Sequence, residues 1–326
     1  MSTARVIALY GFVALDDCES LAPRLLELCR KNGIRGTLLL AHEGINGTVA
    51  GPPAGVQALL DFLAADARFH GLDVKESVAG RLPFHRMKVR VKKEIVTLGL
   101  PDVDPTCRVG TYVEGEAWNA LLADPEVIVI DTRNDYEVRL GTFSGAVNPG
   151  TSTFTEFPAY VREHLDPRQH KKIAMYCTGG IRCEKASSFM LGEGFEQVFH
   201  LRGGILRYLE TVPQEQSLWQ GDCFVFDERV AVTHALAPTQ AAVCFNCRTP
   251  LTREDQQSAD FEPEVSCPHC RSTLTAERRA SLQERTRQIA LAATRGEQHL
   301  GDIAPLVERR RAEKKARRAA DRHSAG

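Results

Sequence analysis

The part of the chain that most constrains its fold is the stretch 111–218, where short apolar segments alternate with helical patterns. Residues 127–130, 172–176 and 197–201 are apolar runs of strand length, separated by segments with helical periodicity. Buried strands that alternate with helices predict a parallel sheet covered by helices on both faces. Such sheets bind ligands at the carboxyl ends of their strands, so this α/β domain is the expected location of a functional site.

A glycine-containing loop, CTGGIR, directly follows the second of these strands and precedes a predicted helix. Free N–H groups and the helix dipole at a helix N-terminus favour negative charge and lower the pKa of a thiol. Gly179 and Gly180 allow several N–H groups to turn toward one centre, and Arg182 adds a positive charge. We therefore predict that Cys177 is a catalytic thiolate or persulfide supported by Arg182. The alternative is a small cysteine buried at a strand end.

The first hundred residues follow the order strand, helix, strand, strand, helix, strand. This order predicts a ferredoxin-like, or acylphosphatase-like, α+β sandwich over residues 1–105. Gly44, Asn46 and Gly47 are expected to form the turn between the two middle strands, because Gly and Asn tolerate positive φ. The predicted elements are 5–13, 18–32, 37–41, 48–50, 55–67 and 86–96.

Two Cys-x-x-Cys pairs lie beyond the α/β region, with nineteen residues between them. This spacing is typical of a tetrahedral zinc site with four thiolate ligands, as in a zinc ribbon. Four protein ligands leave no open position, so zinc here would support folding rather than catalysis. An iron–sulfur cluster or a redox dithiol is the alternative. The predicted ligands are Cys244, Cys247, Cys267 and Cys270.

The length of 326 residues suits about two or three domains. Besides the two domains above, we expect a segment 219–275 with the cysteine cluster and a basic helical tail, 276–326. The sequence shows neither a signal peptide nor an apolar run of about 18 residues, so we expect a cytoplasmic protein without membrane association. Thiols in that compartment stay reduced for catalysis or metal binding.

Every second residue is basic in the predicted strand RMKVRVK. A strand would present these side chains on one face and Met and Val on the other, so the basic face could follow an RNA phosphate backbone. An ordinary solvated sheet face is the alternative. The basic tail, residues 309–322, could also bind RNA, although a solvent-facing helix explains it as well. The RNA-binding residues predicted in the strand are Arg86, Lys88, Arg90 and Lys92.

Residues 111–218 resemble a rhodanese domain, in which the first loop cysteine carries sulfur as a persulfide. The resemblance rests on the loop and on DTR at 131–133, Glu137, GTFSGAVN at 141–148 and LRGG at 201–204. Four residues separate Cys177 from Arg182, as in sulfur-handling rhodaneses, whereas the related dual-specificity phosphatases have one more.

Three further residues near the loop are candidates for supporting roles. In this kind of domain Asp131 and Arg133 orient the loop rather than perform chemistry. Cys183 either resolves an oxidised Cys177 as a disulfide or packs at the helix start.

Four longer motifs occur in order along the chain: AHEGINGT at 41–48, RMKVRVKKEIV at 86–96, CTGGIRCEK at 177–185 and GDCFVFD at 221–227. Together they resemble the bacterial tRNA uridine hydroxylases, over roughly residues 5–275. The resemblance implies oxygen-dependent conversion of the wobble uridine to 5-hydroxyuridine, with molecular oxygen as co-substrate, the anticodon region of tRNA as partner and an unidentified electron donor. Its essential cysteine corresponds to Cys177.

Two other functions stay open from the sequence. One is a persulfide-carrying sulfurtransferase, which rests on the loop alone, and the other is a non-catalytic RNA-binding adaptor. We find no Gly-rich dinucleotide fingerprint and no His/His/carboxylate iron triad in the sequence, so no organic cofactor can be identified.

Overall fold

The computed structural model describes residues 3–227 and 229–295 and divides into two compact units. The first unit comprises Met1–Val243 and Thr249–Arg253, and the second comprises Cys244–Arg248 and Glu254–Gly326. The predicted segment 219–275 is therefore divided between the two units. The basic tail at 309–322 lies outside the described residues.

A five-stranded sheet with two helices forms the first domain of the first unit. The strand order is β4-β1-β3-β2-β5, and β5 is parallel to its neighbour β2. Both helices contribute to one core on one face of the sheet, where Ile7, Leu38 and Val49 cluster with Leu25 and Leu59. The elements are β1 (Ala4–Phe12), α1 (Cys18–Lys31), β2 (Arg35–Ala41), β3 (Gly44–Gly51), α2 (Pro53–Ala64), a 3₁₀ turn (Ala67–Phe69), β4 (Asp73–Ala79) and β5 (Met87–Val91).

This arrangement confirms the predicted ferredoxin-like fold class, but it adds one strand, shortens another and moves the predicted turn. The last strand of the βαββαβ unit is β4, which the sequence analysis missed because polar residues interrupt its apolar pattern. The predicted strand 86–96 is instead the shorter edge strand β5.

The turn between β2 and β3 lies at His42 and Glu43, and the predicted turn residues belong to β3. Gly44 has φ +144° and a Cβ there would lie 2.0 Å from the Gly11 oxygen, so glycine serves strand packing rather than the turn.

The second domain has a parallel sheet in the order β6-β10-β9-β7, which confirms the predicted α/β class. Val147 extends it by a parallel bridge to Ile130. Helix α6 packs in one apolar cluster with Met175 and Phe154, whereas α7 packs in another with Tyr176. The elements are β6 (Thr111–Val113), α3 (Gly115–Ala123), β7 (Val127–Asp131), α4 (Asp135–Val138), β8 (Gly141–Phe143), a 3₁₀ turn (Phe154–Glu156), α5 (Phe157–His164), β9 (Lys172–Tyr176), α6 (Ile181–Gly192), β10 (Gln197–Leu201) and α7 (Gly204–Thr211).

Residues 219–243 belong to the first unit. Strand β11 pairs with β8, and Trp219 is buried against Phe143 with their ring centroids 5.1 Å apart. Strands β12 and β13 pair in an antiparallel arrangement, and the described residues between them are 225–227 and 229–230. The elements are a 3₁₀ turn (Gln214–Gln216), β11 (Trp219–Gly221), β12 (Cys223–Phe224), β13 (Ala231–Val232), a 3₁₀ turn (His234–Leu236), β14 (Ala242–Val243) and β15 (Pro250–Leu251).

The second unit contains the cysteine cluster and a long helix, α9. Its described elements are α8 (Arg253–Gln257), which begins at the boundary of the units, a 3₁₀ turn (Arg271–Thr273) and α9 (Ala276–Thr294). Among the described residues, no helix combines the length and apolar character that a bilayer-spanning segment needs.

Candidate active site

Cys177 is the first residue after β9, in the loop that leads into α6. The backbone N–H of Gly180 donates a hydrogen bond to its Sγ at 3.1 Å. Gly180 has φ +101°, and a Cβ at this position would lie 2.9 Å from the Tyr10 hydroxyl. Glycine is thus needed at this position, where the loop turns its N–H groups toward the sulfur.

The thiol of Cys177 is more acidic than an ordinary cysteine thiol, although it is buried. Burial raises its pKa, but a hydrogen bond from the Cys183 thiol, the charge of Arg182 and the N–H groups of Cys183 and Gly180 together lower that pKa to about 6. The pKa of Cys183 is raised well above its ordinary value, first by burial and then by its interactions with Cys177. The two pKa values shift in opposite directions, so Cys177 is the thiol of this pair that ionises more readily and Cys183 is the one that donates the hydrogen bond.

Arg182 is held by a buried carboxylate. Its Nη1 and Nη2 donate hydrogen bonds of 2.8 and 2.7 Å to Glu137, a fully buried residue of α4. Burial raises the pKa of Glu137, but Arg182 reverses this effect and leaves the pKa below its usual range. The sequence analysis noted Glu137 only as a landmark, so its pairing with the loop arginine was missed.

Asp131 and Arg133 form a second buried ion pair, with 2.6 Å between Arg133 Nη2 and Asp131 Oδ2. The same guanidinium donates to the carbonyl oxygens of Gly141 and Glu137 at 2.6 and 3.2 Å. These contacts fix the backbone around Glu137, which in turn holds Arg182. An orienting role for the pair therefore agrees with its contacts.

Two contacts tie α6 to the first domain. The buried ammonium of Lys185 lies 2.7 Å from a carboxylate oxygen of Glu43 and also contacts Glu94. The hydroxyl of Tyr10 in β1 donates to Glu184 at 2.7 Å. The open face of the first sheet is thereby held over the Cys177 loop. Residues 43, 94 and 185 each lie in one of the motifs that carry the family resemblance, but these motifs did not indicate that the three residues are partners.

A cavity of about 410 Å³ lies between the open face of the first sheet and the Cys177 loop. A third wall of the cavity is supplied by Phe226 and Arg229. The sequence analysis had noted residues 221–227 only as a family motif and not as part of a site. Phe226 is 58% exposed, which is unusual for a large apolar side chain. The sheet contributes Ala8, Tyr10, Thr37, Leu39, Asn46 and Thr48, and the cysteine loop contributes Cys177, Thr178, Gly179, Ile181 and Arg182.

The cations that line this cavity are neutralised. Arg182 is paired with Glu137, as described above, and the other pairs are Lys75 with Asp73 and Arg229 with Asp227. The lining is therefore close to neutral although three of its side chains are basic.

The predicted basic row runs along β5 at the edge of this sheet. Lys88 pairs in register with Thr37 and Arg90 with Leu39, and both partners line the cavity. Residues paired in register share a sheet face, so the row borders the cavity on its open side. The intervening apolar side chains pack against the opposite core. Arg86, Arg90 and Lys92 are exposed and Lys88 is half-buried.

The second unit brings together the four predicted metal ligands. The sulfur atoms of Cys244, Cys247, Cys267 and Cys270 all lie within 4.8 Å of one another. This cluster can hold a metal ion.

A cysteine loop at the end of a parallel strand, joined to a ferredoxin-like sandwich, defines a rhodanese-type protein with an acylphosphatase-like domain. The family descriptions "UPF0176 acylphosphatase like domain" and "Rhodanese-like domain" match residues 4–95 and 115–211. The tRNA uridine(34) hydroxylase of Agrobacterium fabrum is 57% identical over 296 residues, covering 91% of this chain and 94% of that protein.

Two further proteins of that name are similar. The relative from Rhizobium leguminosarum bv. trifolii is 57% identical over 91% of this chain and 96% of its own length. The relative from Sinorhizobium fredii is 58% identical over 91% of this chain and 94% of its own length. The chain belongs to the tRNA uridine(34) hydroxylase family, which confirms the resemblance seen in the sequence.

Proposed function

We propose that this chain is a cytoplasmic tRNA-modifying enzyme that hydroxylates C5 of the wobble uridine, with Cys177 as the reacting thiolate. The observation that carries the proposal is an acidic thiol at the wall of a cavity large enough for a nucleobase. Enzymes that act on a base extrude it into such a pocket. The name of its relatives, tRNA uridine(34) hydroxylase, supplies the base and its position in tRNA.

The reaction requires molecular oxygen and an electron donor. One oxygen atom replaces the hydrogen on C5 as a hydroxyl group. The other is reduced to water by two electrons and two protons, which come from a separate reductant. Oxygen labelled with the heavy isotope ¹⁸O should therefore appear in the product, whereas label supplied in water should not.

The charge distribution in the cavity favours a base over thiosulfate as the substrate. A sulfurtransferase that uses thiosulfate has to bind a dianion, which requires net positive charge. The three cations in the lining are each paired with a carboxylate, whereas uracil is neutral. The Cys177 loop fits a persulfide as well as a thiolate, so sulfur transfer stays the second candidate on the strength of the loop alone.

The basic row on β5 is assigned to the RNA backbone. Lys88 and Arg90 border the cavity, so a strand whose base enters the cavity would carry its phosphates past them. Arg86 and Lys92 directly flank β5 and extend this track at its two ends. The anticodon region of tRNA is the partner that this arrangement suits, because its bases are single-stranded and can be extruded.

Zinc is the metal that we assign to the cysteine cluster. Zn–S distances of about 2.3 Å place the sulfur atoms of a tetrahedral site about 3.8 Å apart. The cluster has sulfur separations of 3.8 Å for Cys244–Cys270, 3.5 Å for Cys247–Cys267 and 3.9 Å for Cys267–Cys270. With four protein ligands, zinc would stabilise the second unit and take no part in hydroxylation.

Nucleoside analysis of tRNA in cells tests the function. A strain that lacks this chain and any parallel route should lose 5-hydroxyuridine and its derivatives from the wobble position, and the wild-type gene should restore them. Unchanged levels would refute the hydroxylase proposal. Cyanide-dependent release of thiocyanate that disappears in Cys177→Ser would instead support sulfur transfer, and absence of a persulfide on Cys177 would exclude it.

A further inference from the structure

The sheet wall of the cavity carries polar atoms that complement one edge of uracil. Asn46 lies on β3 and pairs in register with Leu39 and Tyr10, so its side chain shares their face and lines the cavity. Its Nδ2 donates a hydrogen bond of 2.9 Å to the carbonyl oxygen of Ile95. Because a carbonyl can only accept, this contact fixes which end of the amide is nitrogen.

The fixed orientation leaves the amide oxygen of Asn46 available. In the described part of the chain, no donor forms a hydrogen bond with Oδ1. Thr37 and Thr48 are neighbours across β2 and β3, line the same wall and have hydroxyls that are likewise uncommitted within the described residues. The wall thus offers one carbonyl acceptor beside two hydroxyls that can donate.

With the Asn46 oxygen opposite N3 of the base, this pattern matches uracil and conflicts with cytosine. Uracil presents an N3–H donor between two carbonyl acceptors, whereas cytosine has an unprotonated N3 that can only accept. Two acceptors facing each other repel, and the Ile95 carbonyl prevents the Asn46 amide from rotating to offer its nitrogen instead. C5 of the base lies on the edge opposite C2 and N3, so this edge would face the Cys177 loop when N3 meets the sheet.

We propose that Asn46 selects uracil over cytosine by accepting the N3–H hydrogen bond, while Phe226 provides a stacking surface for the extruded base. Phe226 is exposed at the cavity, and its ring lies perpendicular to the Phe224 ring, with centroids 5.1 Å apart. The Arg182 guanidinium lies over the Phe226 ring, 5.9 Å from its centroid, so one face of the ring is supported. The proposal rests on the proposed function, because it assigns the recognition residue for that substrate.

Binding of two synthetic anticodon stem-loops that differ only in uridine or cytidine at the wobble position tests this assignment. The full chain carrying Cys177→Ala is used so that no turnover occurs. This protein should bind the uridine loop about five- to tenfold more tightly, as expected from one neutral hydrogen bond. Adding Asn46→Leu should abolish the preference, whereas Asn46→Asp should keep it because a carboxylate also accepts, even if both affinities fall alike.

Asn32→Leu is the matched control, because Asn32 also donates its Nδ2 to a main-chain carbonyl in the first domain, at 2.9 Å from Leu28, but does not line the cavity. An unchanged preference in Asn46→Leu, or no preference before that substitution, overturns the assignment. Hydroxylation by the wild-type chain is measured in parallel on whole tRNA. If the wild-type chain hydroxylates tRNA but Asn46→Leu does not change the binding preference, only this inference is refuted. If binding is selective for uridine but no hydroxylated product forms, only the hydroxylase proposal is refuted.

Discussion

Arg182 and Glu137 form a bidentate ion pair beside the cysteine loop, and the Glu137 side chain is completely shielded from solvent. The loop therefore depends on a carboxylate 45 residues earlier in the chain. Because the positive charge of Arg182 is paired, it supports the thiolate without leaving the cavity strongly positive.

Replacing one member of this pair should destabilise the first unit strongly. Glu137→Gln leaves the buried guanidinium without its counter-charge, which costs about 3–5 kcal/mol of the free energy of unfolding in urea. Glu193→Gln is the control, because its partner Arg162 is 54% exposed and the solvent screens that pair. Equal effects of the two substitutions would contradict the buried pairing.

The same pair determines how acid affects stability. The pKa of Glu137 is lower in the folded chain than its usual value. Its contribution to the free energy of unfolding is therefore fully present at pH values above the pKa that it has in the unfolded chain. That contribution is lost as the pH falls through the pKa that Glu137 has in the folded chain. We expect the difference in unfolding free energy between wild type and Glu137→Gln to be constant near neutral pH and to shrink below about pH 4.5. A difference that grew on acidification would have the wrong sign.

Alkylation by iodoacetamide should distinguish Cys177 from the other buried thiols. With a pKa of about 6, Cys177 is a thiolate above that pH, so its labelling rate should fall to half near pH 6 as the solution is acidified. Cys29, whose pKa is raised by burial to about 12, should stay unlabelled at neutral pH. Cys183→Ala removes a donor and should move the midpoint of Cys177 upward. Peptide mass spectrometry measures each site, and a wild-type midpoint near pH 9 would be incompatible with the loop geometry.

Reversing charge on the edge strand should weaken tRNA binding. In the double variant Lys88→Glu/Arg90→Glu, the affinity for tRNA should fall by at least about tenfold. The slope of log K against the logarithm of the salt concentration should become shallower by about one for each phosphate that the protein no longer neutralises. Arg30→Glu/Lys31→Glu makes the same charge change on α1, which packs on the other sheet face. Filter binding at several salt concentrations measures both, and equal losses of affinity would indicate only a general charge effect.

Metal analysis should find one zinc ion per chain. Cys267→Ser should lose the zinc and lower the melting temperature of the second unit, because a structural metal contributes its binding energy to folding. Cys107→Ser is the control, since Cys107 is exposed and lies outside the cluster. Retention of zinc in Cys267→Ser would exclude the four-thiolate site.

The parallel sheet, the Cys177 loop and the cysteine pairs could be predicted because their signals are local. Strand-length apolar runs, two glycines before a helix and a Cys-x-x-Cys spacing can each be identified within a few residues. The prediction that Cys177, Arg182 and the basic row act as site residues still awaits experiment.

The remaining features depend on contacts between distant residues. Lys185 meets Glu43 across 142 positions, and nothing in the sequence near either residue indicates its partner. Strand β4 lacks an apolar alternation because both of its faces carry polar side chains, so only its pairing with β1 identifies it. Phe226 likewise reaches the cavity from a part of the chain whose course depends on non-local pairing, since β11 pairs with β8 and β12 with β13.

Hydroxylation of unmodified tRNA by the purified chain, with a reductant and under air or argon, tests the central role of Cys177 most directly. Mass spectrometry of the nucleosides should detect 5-hydroxyuridine with the wild-type chain under air. It should detect none under argon and none with Cys177→Ala in either atmosphere. Product formed by Cys177→Ala at the wild-type rate would contradict the account.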